Sequence, residues 1–290
     1  MTPPVMLPPG ACDCHTHVVG DTAHYPMEAD RHYTPAAAPH GVLLAHLAAQ
    51  GLERVVIVQP SFYGTDNRCM LDSLARLEGQ GRGVAVVAPD VEQATLRQLH
   101  AAGVRGLRIN VESFGVRDPV AVANALRALA ERIAELNWHI QIYAAMETTA
   151  AVAEHLDRLP VPVVLDHFAM VPSSTPFDDA PARALLTLLA GGNAYVKLSA
   201  SYRVHENDDA RSAASVAAWA QAFLAAAPHK VLWGSDWPHT NREPGKGPLE
   251  VSRYRSLPSG KLLTEIEAWF PTAAIRQQVL VENATRLYDF

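Results

Sequence analysis

The sequence predicts a single α/β domain built as a (β/α)8 TIM barrel, on three observations. Short β-rich runs recur eight times, amphipathic segments rich in alanine and leucine separate them, and no composition break or Gly/Ser linker divides the 290 residues. The runs are 11–18, 55–61, 83–88, 106–110, 139–144, 163–168, 194–200 and 231–236. Strand then helix, repeated, implies parallel strands. A doubly wound open sheet alternates in the same way, but it would normally carry a Gly-rich phosphate turn after its first strand, and residues 12–20 have none.

Each element has a local reason. The first run leads into residues 20–39, long, polar and rich in turn residues; such a loop in a compact domain is usually functional, and after a first barrel strand it reads as a lid over the C-terminal mouth. Helices are expected at 39–50, 67–78 and 91–102, closed by Gly51, Gly79 and Gly103. The next has the clearest punctuation: Asp118 as N-cap, Pro119 at the first helical position, then Val122, Leu126, Leu129, Ile133 and Leu136 spaced by three and four, so that one face packs inward. Segments 148–159 and 208–227 stop at Pro160 and Pro228, and 179–190 stops at Gly191.

Composition narrows the function. Twenty-four Lys+Arg against 30 Asp+Glu leave a net charge of -6 with no basic stripe, hence no electrostatic footprint for nucleic acid or an anionic membrane surface. No apolar stretch approaches the roughly 20 residues needed to cross a bilayer. The first eleven residues contain four prolines and no basic residue, unlike a signal or transit peptide. Three cysteines (Cys12, Cys14, Cys69) form no disulfide framework and read as buried thiols. The expectation is a cytoplasmic protein, monomeric or homo-oligomeric, whose partner is a small molecule.

The chemistry gathers at strand ends. In a regular strand alternate residues share a face, so Asp13, His15 and His17 point one way and Cys12, Cys14 and Thr16 the other. An imidazole pair at the end of a barrel strand can hold a divalent metal or polarise a carbonyl, although two polar residues at a strand end explain it equally well. Asp166-His167 closes the sixth run, and the segment from Trp233 through Asp236 to His239 closes the eighth. His15, His17, His167 and Asp236 thus fall together on the face where this fold keeps its active sites.

DCHTHV, LDHF and WGSDWPHTN, in this order on eight βα units, resemble the amidohydrolase superfamily, and within it the branch of 2-pyrone-4,6-dicarboxylate lactonase and related sugar lactonases. The similarity runs end to end, with further matches in RHYTP (31–35), VQPSFYGTDNR (58–68), AGVRGLRIN (102–110), WHIQIY (138–143) and ENATRLY (282–288). It implies an amidohydrolase-type barrel and acyl transfer from a lactone to water, with Asp236 as general base and His15, His17 and His167 polarising the carbonyl and stabilising the oxyanion. Metal-dependent members add a histidine on the fifth strand and a lysine or carboxylate on the fourth, where this chain has Tyr143 and Arg108. The resemblance therefore implies catalysis that requires no metal, with zinc or another divalent ion on His15, His17, His167 and Asp236 as the alternative.

For the substrate, Arg108 and Arg203, the latter in SASYR after the seventh strand, match family positions that bind a carboxylate, which a guanidinium fork pairs bidentately. Tyr143 and His239 are further contacts. Ser61, Tyr63 and Asn67, in the loop after the second strand, are candidates for which local turn bonding is an equal reading. Where the pyrone dicarboxylate enzymes carry two more arginines, this chain has Phe114 and Met170, with Arg117 nearby. The expected substrate is a pyrone, muconolactone or sugar-acid lactone with fewer carboxylates, about one. Rival readings are a metal-dependent decarboxylase of the same fold, a lactone isomerase, and a binding or regulatory barrel with a decayed site. The retained set of three histidines and one aspartate argues against the last.

Overall fold

Eight strands hydrogen-bond in chain order, every pairing parallel. They are β1 (Cys12–Thr16), β2 (Arg54–Val58), β3 (Gly81–Ala85), β4 (Val104–Asn110), β5 (His139–Tyr143), β6 (Val163–Leu165), β7 (Ala194–Leu198) and β8 (Val231–Trp233). The computed structural model describes residues 6–110, 119–205, 207 and 209–290. Each β-rich run expected from the sequence overlaps one strand, the third only at residues 83–85. Runs such as RVVIV in β2 are β-branched and buried on both faces, as strands of a parallel sheet covered by helices must be.

The helices between the strands are α1 (His40–Gln50), α2 (Arg68–Ala75), α3 (Gln93–Ala101), α4 (Pro119–Ile133), the pair α5 (Met146–Ala151) and α6 (Ala153–Asp157), α7 (Ala180–Gly191) and α8 (Ala210–Ala226). Their termini differ from expectation by small amounts with local causes. The chain tightens into three-residue turns at Arg76 and Leu77, which ends α2 early. The 148–159 segment divides at the β-branched Val152, where φ is -109°. Gly192, at φ 100°, caps α7 in place of Gly191, and α8 starts from Asp209, whose carboxylate accepts the Ser212 N–H at 2.7 Å. Asp118, like Phe114 and Arg117, lies outside the described residues. Three helices follow β8 that the sequence reading had not marked: α9 (Lys261–Trp269), α10 (Ala273–Gln277) and α11 (Asn283–Tyr288). Among the described residues no helix is long and apolar enough to cross a membrane.

Two apolar layers result. Outward strand residues such as Val55, Ile57 and Leu107 pack with Leu43, Leu96 and Leu126 of the helices. Cys12, Cys14, Val56, Val84, Val164 and Leu232 form the second layer with Tyr288. The α11 segment covers the N-terminal ends of the strands, where Arg54 bonds Thr285 and Arg82 bonds the Tyr288 carbonyl. All three cysteines are free and buried.

The first and last strands meet in a seam just beyond their regular ends. The Asp236 N–H donates to the His15 carbonyl (2.9 Å), and the His17 N–H donates to the Trp237 carbonyl (2.8 Å). Glycine is required beside this joint, since a Cβ on Gly234 would stand 2.6 Å from His15 Cβ and 2.8 Å from its backbone nitrogen. Loop 20–39 is fastened across the same end. Thr34–Pro35 pairs with Val251–Ser252, Thr34 Oγ1 donates to the Pro248 carbonyl at 2.8 Å, and the Tyr254 hydroxyl donates to the Ala36 carbonyl.

Candidate active site

Strict alternation along β1 would group Asp13 with His15 and His17; the structure departs from this. The register against β2 shifts between Asp13 and Thr16, and this irregularity re-aims the side chains. Asp13 turns to the backbone N–H groups of His15 (3.1 Å) and Ser235 (2.9 Å), with His46 Nε2 3.6 Å from its second oxygen. It thereby ties the end of β1 to the end of β8. His15 and His17 turn to Asp236.

Asp236 is fully buried and its two oxygens have different surroundings. Oδ2 accepts from the Tyr202 hydroxyl (2.6 Å) and from Arg203 Nε and Nη2 (3.1 and 2.9 Å). Oδ1 has no hydrogen-bond partner among the described residues, yet His15 Nε2 and His17 Nε2 each stand 3.6 Å from it and His167 Nε2 stands at 4.0 Å. Burial works to raise the Asp236 carboxyl, but the Arg203 guanidinium and the surrounding imidazoles hold it well below the usual carboxylate range. One oxygen is locked and charge-balanced; the other is bare and ionised. The structure thus brings together all four residues that the sequence placed at strand ends.

A layer of polar side chains supports them from inside the barrel. Asp166 Oδ1 lies 3.2 Å from His15 Nδ1, and its Oδ2 accepts from Gln141 at 3.0 Å. Lys197, wholly buried, donates to Gln141 Oε1 at 2.6 Å and stands 3.8 Å from Asp166, as does Arg108 Nε. Lysine only donates and carboxylate only accepts, so the Gln141 amide between them has one orientation. An unpaired ammonium at this depth would cost several kcal/mol. Burial also holds His15 down, to about 4, so its ring is neutral near pH 7. Gln141, Lys197, Asp166, Ser199 and Tyr202 were not among the expected site residues. The signal for Lys197 was present, a lone cation in the apolar run AYVKLSA; Ser199 and Tyr202 had none.

The backbone at these strand ends is left-handed at non-glycine positions. His167, Phe168, Ala169 and Met170 have φ between 49° and 56°, and Ala200 (49°), Asp236 (60°) and His239 (67°) share the region. Such residues cost on the order of 1 kcal/mol each, and clusters of them mark functional sites.

The remaining candidates are placed as follows. Tyr143 meets the His167 ring edge-on at 5.6 Å, with Arg108 5.7 Å from its own ring. Arg108 also borders a cavity of about 220 Å³ walled by Ser61, Val86, Val87 and Leu107. Arg203, expected on a substrate carboxylate, is committed to Asp236. His239 presents its ring to Tyr202 at 6.2 Å, with burial holding it down to about 4. The Tyr63 hydroxyl accepts the Gly20 N–H at 3.1 Å, and Asn67 bonds the Thr65 carbonyl and both backbone groups of Val86. These last two knit loops together. Tyr33, from the loop after β1, was not foreseen: burial pushes its phenol up against the opposing Thr240 hydrogen bond and the charges of Arg203 and Arg108.

The donor set also fits a divalent ion. His15, His17 and Asp236 offer ligand atoms within 4.8 Å of one another, and the 3.6 Å His–Asp separations are near the ~3.3 Å between ligands of one tetrahedral ion.

Comparison with known proteins gives the family. A 2-pyrone-4,6-dicarboxylate hydrolase of Comamonas testosteroni is 34% identical over 299 residues, covering 99% of this chain and 92% of the relative. A 4-sulfomuconolactone hydrolase of Hydrogenophaga intermedia is 31% identical over 288 residues, covering 98% and 90%. The crystal structure of a Pseudomonas putida protein assigned as a 2-pyrone-4,6-dicarboxylic acid hydrolase superposes with a TM-score of 0.81 at 32% identity, covering 98% of each chain. The amidohydrolase family model matches residues 12–290, and with the barrel and its strand-end histidines in place, the chain belongs to the amidohydrolase family.

Proposed function

We propose that this hydrolase opens the ring of a small lactone carrying one carboxylate, by general-base attack of water. The observation that carries the reading is the asymmetry of Asp236, whose Oδ2 is held by Tyr202 and Arg203 while Oδ1 faces three imidazoles. A water on Oδ1 gives up a proton to it as its oxygen bonds to the ester carbonyl carbon, and the carbonyl electron pair moves onto oxygen, where imidazole N–H stabilises it. Collapse expels the ring oxygen, which takes the proton back from Asp236. Such an ionised carboxylate serves as base without needing a raised pKa.

Charge supports a reaction run by the protein alone. Asp236 is offset by Arg203, and Asp166 by Lys197. Were a divalent ion bound, His15, His17 and Asp236, with His167 beside them, would hold it, and it would polarise the carbonyl and acidify water. Arg203 is held on Asp236 by two hydrogen bonds, so the substrate carboxylate falls to Arg108, whose Nε stands 3.8 Å from Asp166, beyond hydrogen-bond distance.

The test is a panel of pyrone, muconolactone and aldonolactone substrates on metal-analysed protein, with proton NMR of the product. Ring opening that persists after chelation is expected. Acyl migration without opening would establish an isomerase, loss on chelation would overturn the metal-independent reading, and inertness toward the whole panel would overturn the lactone.

A further inference from the structure

The three imidazoles around Asp236 are not equivalent. A neutral imidazole carries one N–H, and the partner of one ring nitrogen decides which atom has it. His17 Nδ1 lies 2.7 Å from the Val58 carbonyl oxygen. A carbonyl only accepts, so Nδ1 carries a hydrogen, and in the neutral ring Nε2 is then a bare lone pair. His15 Nδ1 faces Asp166 Oδ1 at 3.2 Å, a carboxylate flanked by Lys197 and Arg108. The hydrogen again sits on Nδ1, leaving Nε2 bare.

His167 differs. Its Nδ1 is 2.9 Å from Ser199 Oγ, and a hydroxyl can donate. We propose that Ser199 donates to His167 Nδ1 and so makes His167 the one neutral imidazole of the three whose Nε2 carries a hydrogen into the site. The surroundings favour it. Among the described residues Asp236 Oδ1 has three Nε2 atoms within 4.0 Å and no hydrogen-bond partner, and a carboxylate oxygen facing nitrogen lone pairs is repelled by them. Putting the hydrogen on His167 relieves that, because the His17 hydrogen is engaged with the Val58 carbonyl and the His15 hydrogen is drawn toward the Asp166 carboxylate. Both Ser199 and His167 are buried, so no bulk water competes for the contact.

The catalytic consequence rests on the lactone-hydrolase reading; the tautomer does not. During turnover His167 Nε2–H becomes the donor to the carbonyl oxygen as charge builds there, while one bare Nε2, of His15 or His17, accepts the hydrogen of the attacking water that does not go to Asp236. Ser199 is a positioning residue, acting through His167.

The experiment is long-range 1H–15N NMR of histidine-labelled protein without substrate, with the His167 signals assigned from a His167→Gln spectrum. The expected result is a bare Nδ1 and a protonated Nε2 on His167, with that pattern lost in Ser199→Ala. In parallel, Ser199→Ala lowers kcat by roughly tenfold to a hundredfold with KM nearly unchanged, and Ser199→Thr, which keeps the hydroxyl, restores most of it. A wild-type His167 protonated on Nδ1, or on both nitrogens, overturns the proposal, as does a Ser199→Ala protein with wild-type spectrum and kcat. If wild-type protein opens no lactone, the substrate reading falls while the spectra still decide the tautomer.

Discussion

At the scale of single residues, Asp236 is where a small change has the largest effect. Asp236→Asn keeps volume and can still accept from Tyr202 or Arg203, but its amide is no base. We expect kcat to fall by about 10² to 10⁴ with the folded structure kept, measured by steady-state kinetics and a thermal melt. Unchanged turnover would remove Asp236 from the mechanism. His15, His17, His167 and Asp236 were legible in the sequence because position along a barrel strand places a side chain at the mouth, and all four stand at strand ends. Arg203 shows where that legibility stops. Its type and place said anion, and the anion it holds is the protein's own Asp236. A linear sequence does not distinguish a guanidinium that awaits a substrate from one already paired.

At the scale of elements, the eight strands were readable from β-branched runs bounded by Gly and Pro, since local propensity and tertiary position agree there. The register shift in β1 was not, because CDCHT alternates in sequence whether or not the strand does. Helix ends were misplaced by one to three residues for a similar reason: several hydrogen-bond patterns compete at a helix end within about 1 kcal/mol. The turn after α2 offers a clean check on backbone strain. Glu78 is exposed at φ 48°, one residue before Gly79 at φ 89°. Glu78→Gly removes the penalty of a left-handed non-glycine without disturbing packing, so it should raise the thermal midpoint by about 2 °C with activity unaltered. A lower midpoint would show that the side chain contributes more than its strain costs.

At the scale of the molecule, the buried histidines make the barrel acid-sensitive. Burial lowers His15 and His239 to about 4 and His139 to about 3, against an ordinary value of 6.5. Between pH 6.5 and 4 the unfolded chain binds protons that the folded one does not, so stability is full above about 6.5 and declines as pH falls. Each such group contributes up to about 1.4 kcal/mol per pH unit. Urea midpoints should therefore drop steadily from pH 7 to pH 4.5, and a flat profile would mean that these rings are charged in the folded state. The barrel as a whole was readable from the repeat of strand and helix; the fastening of loop 20–39 to residues 248–254 was not, because it joins segments that share no pattern.

The seam between β1 and β8 has a temporal meaning. Asp236 and the pair His15 and His17 come from opposite ends of the chain and touch only where the last strand docks on the first. A ribosome must release the chain through β8 before Asp236 can reach these histidines, and a molecule clipped ahead of β8 holds His15, His17 and His167 without Asp236. The four side chains come together only when the barrel closes.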